Sequence, residues 1–215
     1  MTDCIPWTEY EKAFGFLAGI LNNPPCTAMV SQLREGFSRP PESLPAENVH
    51  EGDARMISYF QQHAGTPLEN VAEELAVDWT RLFRGLSRQA GPQPPYEGVY
   101  CEKNGIGIAT LLEVKQQYQK YGLSIPEGKN NREDYLGYEL DFVRHLAAKA
   151  AAAQKAQKRE EEEDYRTALS EFLNSHLNWT NDFCGRAADY TRTDFYSGFL
   201  ILLQDTVSEA VASCS

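Results

Sequence analysis

Apolar residues along this chain recur at three- and four-residue steps, the spacing that places them on one face of an α-helix. Tyr10, Phe14, Leu17, Ala18 and Leu21 form the first such stripe, and Asn22-Asn23-Pro24-Pro25 ends it. A second helix is predicted from Thr27 to Phe37, and prolines 40, 41 and 45 then mark a loop. A third is predicted from about Asp53 to His63. Thr66-Pro67-Leu68-Glu69 reads as a capping box with proline at the first helical position, opening a helix with Leu68, Val71, Leu75, Trp79, Leu82 and Phe83 along one side. Gly85 is its predicted stop, and Gly91-Pro92-Gln93-Pro94-Pro95-Tyr96-Glu97 cannot be helical.

Ile108 to Tyr121 reads as one more helix, closed by Gly122. Asn131-Arg132-Glu133-Asp134 is the predicted cap of the longest helix, whose stripe is Tyr135, Tyr138, Leu140, Phe142, Val143 and Leu146 before an alanine run from 150 to 153. Two further helices are predicted near Asp164 to Ala188 and Asp194 to Ser213. No apolar/polar alternation is sustained enough for a sheet. The expectation is an all-α protein, a single compact helical domain of roughly eight to ten helices. An N-terminal helical group (1–122) and a C-terminal group (131–215) are joined by a loop at 123–130 that could act as a hinge.

Composition narrows the function classes. The formal net charge is −11 over 215 residues, which argues against nucleic acid, because counterion release needs clustered Lys and Arg. An acidic surface attracts basic partners instead. The longest strongly apolar run, Phe199 to Leu203, is too short to span a bilayer, so no stable membrane insertion is expected. Met1-Thr2-Asp3-Cys4-Ile5-Pro6-Trp7 has no basic n-region or small-residue cleavage site, which points to a cytoplasmic protein. Cys4, Cys26, Cys101, Cys184 and Cys214 include no C-x-x-C pair and read as reduced thiols.

Catalytic chemistry finds no foothold. His50, His63, His145 and His176 have no second ligand at the i, i+4 spacing of zinc helices, and His145 and His176 read as surface or capped residues. There is no glycine-rich phosphate loop and no G-x-S-x-G elbow. The acidic run Glu160 to Glu163 reads as a solvated helix face. No catalytic residue, metal site or cofactor is expected.

Two segments depart from plain amphipathic packing. One is Asp78-Trp79-Thr80-Arg81-Leu82-Phe83-Arg84-Gly85, followed by Pro94-Pro95-Tyr96-Glu97-Gly98-Val99-Tyr100. The other is Asn131-Arg132-Glu133-Asp134-Tyr135-Leu136-Gly137-Tyr138-Glu139-Leu140-Asp141-Phe142. Aromatics beside a rigid proline loop can line a groove for another chain, and Glu133 or Asp134 could face an incoming guanidinium. Equally, Trp79, Phe83 and Tyr138 suit a core, and the acids suit a helix N-terminus. The residues alone leave both readings open.

The first segment pair is similar to the aromatic-x-x-Leu-Phe-x-Gly and Pro-Pro-Tyr/Trp-Glu-Ser-Val-Tyr signature of the TorD/DmsD chaperones. The second resembles their Glu-Pro-x-Asp-His-Leu and Leu-x-Phe-Leu signature through Asp134, Leu136, Leu140 and Phe142; Asn131, Arg132 and Tyr135 stand where the family has Glu, Pro and His. Phe172-Leu173, His176-Leu177, Trp179 and Phe195-Tyr196 resemble the family's closing helices. The resemblance runs over about residues 70 to 205. It implies an all-helical chaperone that binds the twin-arginine leader and apo form of a molybdopterin oxidoreductase of the dimethyl sulfoxide or trimethylamine N-oxide reductase kind, assists cofactor insertion and delays export. It places Asp134 and Glu97 near the arginines and Trp79, Phe83, Pro94, Pro95, Tyr96, Tyr100, Tyr135 and Tyr138 along the peptide path. Tyr135 cannot titrate near neutral pH as the family's histidine can. The family also contains nitrate-reductase-type assembly chaperones with non-exported clients. The nucleotide binding proposed within it leaves a small helical nucleotide-hydrolysing enzyme as a further alternative, without a phosphate loop to support it.

Overall fold

A computed structural model describes residues 5–37, 50–85, 91–101, 107–125, 127–128 and 131–214. Cys4 and the proline loop at 40–45 lie outside the described residues, as does part of the expected hinge. Ten helices are described: α1 (Trp7–Asn22), α2 (Thr27–Phe37), α3 (Glu51–Gln62), α4 (Leu68–Phe83), α5 (Glu97–Cys101), α6 (Ile108–Lys120), α7 (Leu136–Lys155), α8 (Arg159–His176), α9 (Thr180–Ala188) and α10 (Asp194–Cys214). The described residues form no strand, only an isolated antiparallel bridge between Tyr96 and Tyr135. The protein is all-α.

The helix ends correct several expectations. Pro67 occupies the N-cap of α4, with no side-chain cap; its carbonyl accepts from the Asn70 and Val71 N–H groups at 3.1 and 3.2 Å. Thr66 therefore stands one residue too early to form the expected capping box. Tyr135, in extended backbone, is the N-cap of α7, so Asn131 to Asp134 precede that helix rather than cap it. The longest helix is α10, with 21 residues. The segment predicted as one helix to Ala188 is two. The Trp179 indole N–H takes the His176 carbonyl at 2.8 Å, and the Thr180 hydroxyl takes the Leu177 carbonyl at 2.8 Å. Those side chains satisfy the terminal carbonyls of α8 and end it.

Contacts divide the chain into two compact units, one of residues 1–22, 95–180 and 206–215, the other of 23–94 and 181–205. In the first, α7 packs against α1 and α8. Its stripe of Leu136, Leu140, Val143, Leu146, Ala147 and Ala150 is fully buried. Phe142 meets Phe172 of α8 edge to face at 4.6 Å between ring centres, a geometry that adds to the gain from burial itself. The Trp7 indole N–H reaches Glu162 at 2.8 Å, so one member of the acidic run is tied down while Glu160 and Glu163 are exposed.

The second unit is built on α2, α3, α4, nearly all of α9 and the first part of α10. Phe83 packs against Phe183, Tyr196 and Phe199, with ring centres 5.6 to 6.2 Å apart. α3 and α10 touch backbone to backbone at Gly52 and Gly198, where a Cβ on Gly52 would lie 2.6 Å from the Gly198 carbonyl oxygen. Only glycine permits that crossing. Asp78, 1% exposed on α4, accepts from the backbone N–H groups of Arg192 and Thr193 at the start of α10.

Candidate functional site

The two signature segments meet in the first unit. The Glu97 N–H donates to the Asp134 carbonyl at 2.9 Å, and the Leu136 N–H donates to the Pro95 carbonyl at 3.0 Å. These two bonds make the Tyr96–Tyr135 bridge. Pro95 fits because its missing N–H is not called on here, while its carbonyl is. Residues nearly forty positions apart are thereby held side by side, with Glu97 opening α5 and Asp134 just ahead of α7.

Of the predicted site residues, Pro95, Tyr96, Glu97, Tyr100, Asp134, Tyr135 and Tyr138 lie in this unit. Tyr96, Tyr100 and Tyr138 are half-buried. The Tyr96 ring packs 5.4 Å from Tyr135, and Tyr135 packs 5.5 Å from Tyr138. Tyr100 stacks on Trp179 at 5.0 Å. Trp79, Phe83 and Pro94 belong to the other unit. There Trp79 and Phe83 are 6% and 1% exposed, and the Pro94 ring lies against Gly85, whose positive φ of 64° suits glycine.

Tyr135 is fully buried, and its hydroxyl donates to the Leu21 carbonyl at 2.8 Å, pinning the end of α1 to the start of α7. Replacing it by phenylalanine leaves a buried carbonyl short of a donor. We expect Tyr135→Phe to lower stability by about 1–2 kcal/mol, measured as a reduced urea midpoint.

Beneath the bridge sits a cluster of charged groups. Asp134 is fully buried and receives the Gly98 N–H at 3.1 Å and the Arg132 guanidinium on both carboxylate oxygens. Glu97 is 4% exposed, and His176 Nδ1 lies 3.0 Å from its Oε2. Burial pushes the Glu97 carboxyl up from its usual range, and His176 opposes that shift. Glu139 on α7 is fully buried beside the Glu97 carboxyl, and among the described residues its carboxyl oxygens find no other hydrogen-bond partner. Burial, then the Glu97 and Asp134 charges beside it, hold its proton affinity well above the usual carboxylate range. Burial does the same to the Tyr118 hydroxyl, which donates to the Glu133 carbonyl at 3.0 Å.

Sequence reasoning missed Glu139, His176 and Arg132. The expectation of a surface or capped His176 is corrected, because it is 5% exposed. The signal was available for two of them. Glu139 falls three residues after Leu136 and four before Val143, and His176 falls three after Leu173, so both occupy apolar-stripe positions. The cluster can hold cations, since it combines carboxylates with the face of an aromatic ring, Tyr96. Among the described residues no group of three or more His, Cys, Asp or Glu side chains is arranged to hold a metal ion, and no helix is long and apolar enough to cross a membrane. A separate cleft of about 460 Å³ in this unit is lined by Lys120, Tyr121, Asp164, Tyr165 and Glu171 among others. It shares no residue with the predicted site.

Comparison with known proteins supplies the class. The family profile described as nitrate reductase delta subunit matches residues 46–185, well over half of the chain. The chain belongs to this family, which includes the TorD/DmsD-type chaperones. Its relatives include the chaperone protein TorD of Vibrio cholerae serotype O1, 27% identical over 125 residues, 58% of this chain and 54% of that protein. Another is the perchlorate reductase assembly chaperone protein of Dechloromonas aromatica, 36% identical over 104 residues, 46% of this chain and 45% of that protein. The chain thus spans about half the length of the curated relatives it matches. No solved structure matches it.

Proposed function

We propose that this chain is a cytoplasmic assembly chaperone, not a catalyst, for a molybdopterin oxidoreductase of the dimethyl sulfoxide or trimethylamine N-oxide reductase kind. It holds the enzyme's twin-arginine leader while cofactor is inserted and so delays export. Family membership supports the class, and the perchlorate reductase assembly chaperone among the relatives supports a redox-enzyme client. The observation that carries the leader reading is the joining of the two signature segments through residues 95–97 and 134–136. It sets half-exposed aromatic rings (Tyr96, Tyr100 and Tyr138) beside buried carboxylates at Asp134 and Glu97.

A leader presents two adjacent guanidinium groups and then an apolar stretch. Asp134 and Glu97 supply charge for the first, and the tyrosine rings supply contact area for the second. The net charge of −11 steers a basic leader toward the protein at low ionic strength.

Isothermal titration against a twin-arginine leader and its Ala-Ala counterpart tests this. The arginine leader should bind at least about tenfold more tightly, the effect of losing one charge-assisted pair. Equal binding of both leaders would remove the acidic residues from recognition. The family description favours one other reading, a nitrate-reductase-type client that is not exported. Binding of that client's N-terminal segment, without any requirement for paired arginines, would select it.

A further inference from the structure

The chain already holds a guanidinium where a client's arginine is expected, and that guanidinium is its own. Arg132 donates Nε to Asp134 Oδ1 at 2.8 Å and Nη2 to Oδ2, a two-pronged fork. Its Cζ lies 5.6 Å from the centre of the Tyr96 ring, within cation–π range. The floor is made of glycine. Gly98 and Gly107 pack on each other, a Cβ on Gly98 standing 2.5 Å from Gly107 Cα; the same Cβ would stand 3.1 Å from Arg132 Nη2 and from Asp134 Oδ2, and one on Gly107 would stand 2.9 Å from Nη2. A side chain on either glycine would crowd the space that the guanidinium fills.

Two further features separate the holder from the held. Asp134 Oδ2 also accepts the Gly98 N–H at 3.1 Å, so the carboxylate has a backbone anchor that does not depend on Arg132. The Asp134 side chain is 0% exposed, whereas that of Arg132 is 34% exposed and comes from the non-helical segment ahead of α7. The acceptor is rigid and inside, and its occupant enters from the solvent side.

We propose that Asp134, Tyr96, Gly98 and Gly107 form a guanidinium cradle that Arg132 fills in the free protein, and that a client arginine enters by displacing Arg132. Arg132 is then a built-in competitor, which lowers affinity for weak cationic segments and reserves the cradle for a ligand that also offers apolar contacts. The client half of this proposal rests on the leader-binding reading; the cradle itself does not.

The test has two arms, each with the purified 215-residue chain. In the first, thermal unfolding of wild type and Arg132→Ala is followed with millimolar methylguanidinium or methylammonium. Arg132→Ala should melt below wild type and be partly restored by methylguanidinium alone, while the double variant Arg132→Ala/Asp134→Asn should show no restoration. Absence of a methylguanidinium-specific rise overturns the cradle and leaves Arg132 as a structural counter-charge. In the second, Arg132→Ala should bind a twin-arginine leader roughly tenfold more tightly than wild type, with the Ala-Ala leader unaffected. Unchanged or weaker leader binding overturns the competition. If no leader binds to either protein, the leader reading and the client half fall together, and the first arm still decides the cradle. Should Arg132→Ala fail to fold, Arg132→Gln carries the same comparisons.

Discussion

Asp78→Ala should cost about 3–5 kcal/mol of stability, the usual penalty for breaking one side of a buried ion pair. The residue is 1% exposed on α4, inside the second unit. Its Oδ1 receives the Arg81 guanidinium at 2.6 Å. Its Oδ2 receives three donors, the Arg192 N–H at 3.1 Å, the Thr193 N–H at 3.0 Å and the Thr193 hydroxyl at 2.8 Å. Thr193 Oγ1 in turn accepts the Tyr196 N–H at 3.4 Å, as an N-cap of α10 does. Alanine would strand a buried guanidinium whose side chain is 10% exposed, and would leave backbone donors at the head of α10 without their acceptor. Asp78→Asn keeps one acceptor oxygen and should lose less. Urea unfolding, read as a lower midpoint at unchanged slope, measures both. A loss below about 1 kcal/mol would equate the network with an exposed ion pair and refute this account.

Asp78 also shows what the sequence conceals. It stands three residues after Leu75 and four before Leu82, inside the apolar stripe, yet a pattern search for apolar positions passes over it. The donors to its Oδ2, Arg192 and Thr193, sit more than a hundred residues downstream. Glu97 and His176, 79 positions apart, are the same case. The helices themselves were legible because burial of one face imposes a period on many residues at once. α2 runs from Thr27 to Phe37 as the pattern predicts, and α6 ends within a residue of its predicted stop. What periodicity could not reach were short or locally decided features. α5 is five residues long, one residue behind two prolines, and the α8–α9 break depends on two side chains taking two carbonyls. The site was half legible. The motif brought Tyr96, Glu97, Asp134 and Tyr135 into view, and the hydrogen bonds between them needed the fold. Arg132 reads in sequence only as a departure from a family proline; in the structure its guanidinium occupies the Asp134 carboxylate.

Glu139 makes the remaining prediction, one of pH. Its carboxyl is fully buried on α7, and it faces Glu97, Asp134, Tyr118 and Cys101. Burial first, and then the neighbouring carboxylates, raise its affinity for a proton in the folded protein. In the unfolded chain the group titrates near the ordinary value of about 4.3. Between that value and the raised one the folded state binds the proton that the unfolded state has released. Stability contributed by the protonated form is therefore fully present below pH about 4.3 and is lost as pH rises toward the folded value, by up to about 1.4 kcal/mol per pH unit. Glu139→Gln keeps the size and removes the titration. Against wild type, the variant should show a flatter stability profile from pH 4 to 8 in urea unfolding, with its advantage growing as pH rises. Burial also raises Glu97, and Glu139 acts on it through a hydrogen bond, so the difference between the two profiles reports the Glu97–Glu139 pair titrating together. Parallel profiles would mean that Glu139 ionises at its ordinary pH inside the fold. An ionised Glu139 would leave the cluster with a further negative charge beside Asp134 and Glu97. Diverging profiles would identify Glu139 as a neutral, protonated member of the cluster, leaving Asp134 to hold the guanidinium with its charge undiluted by repulsion from below.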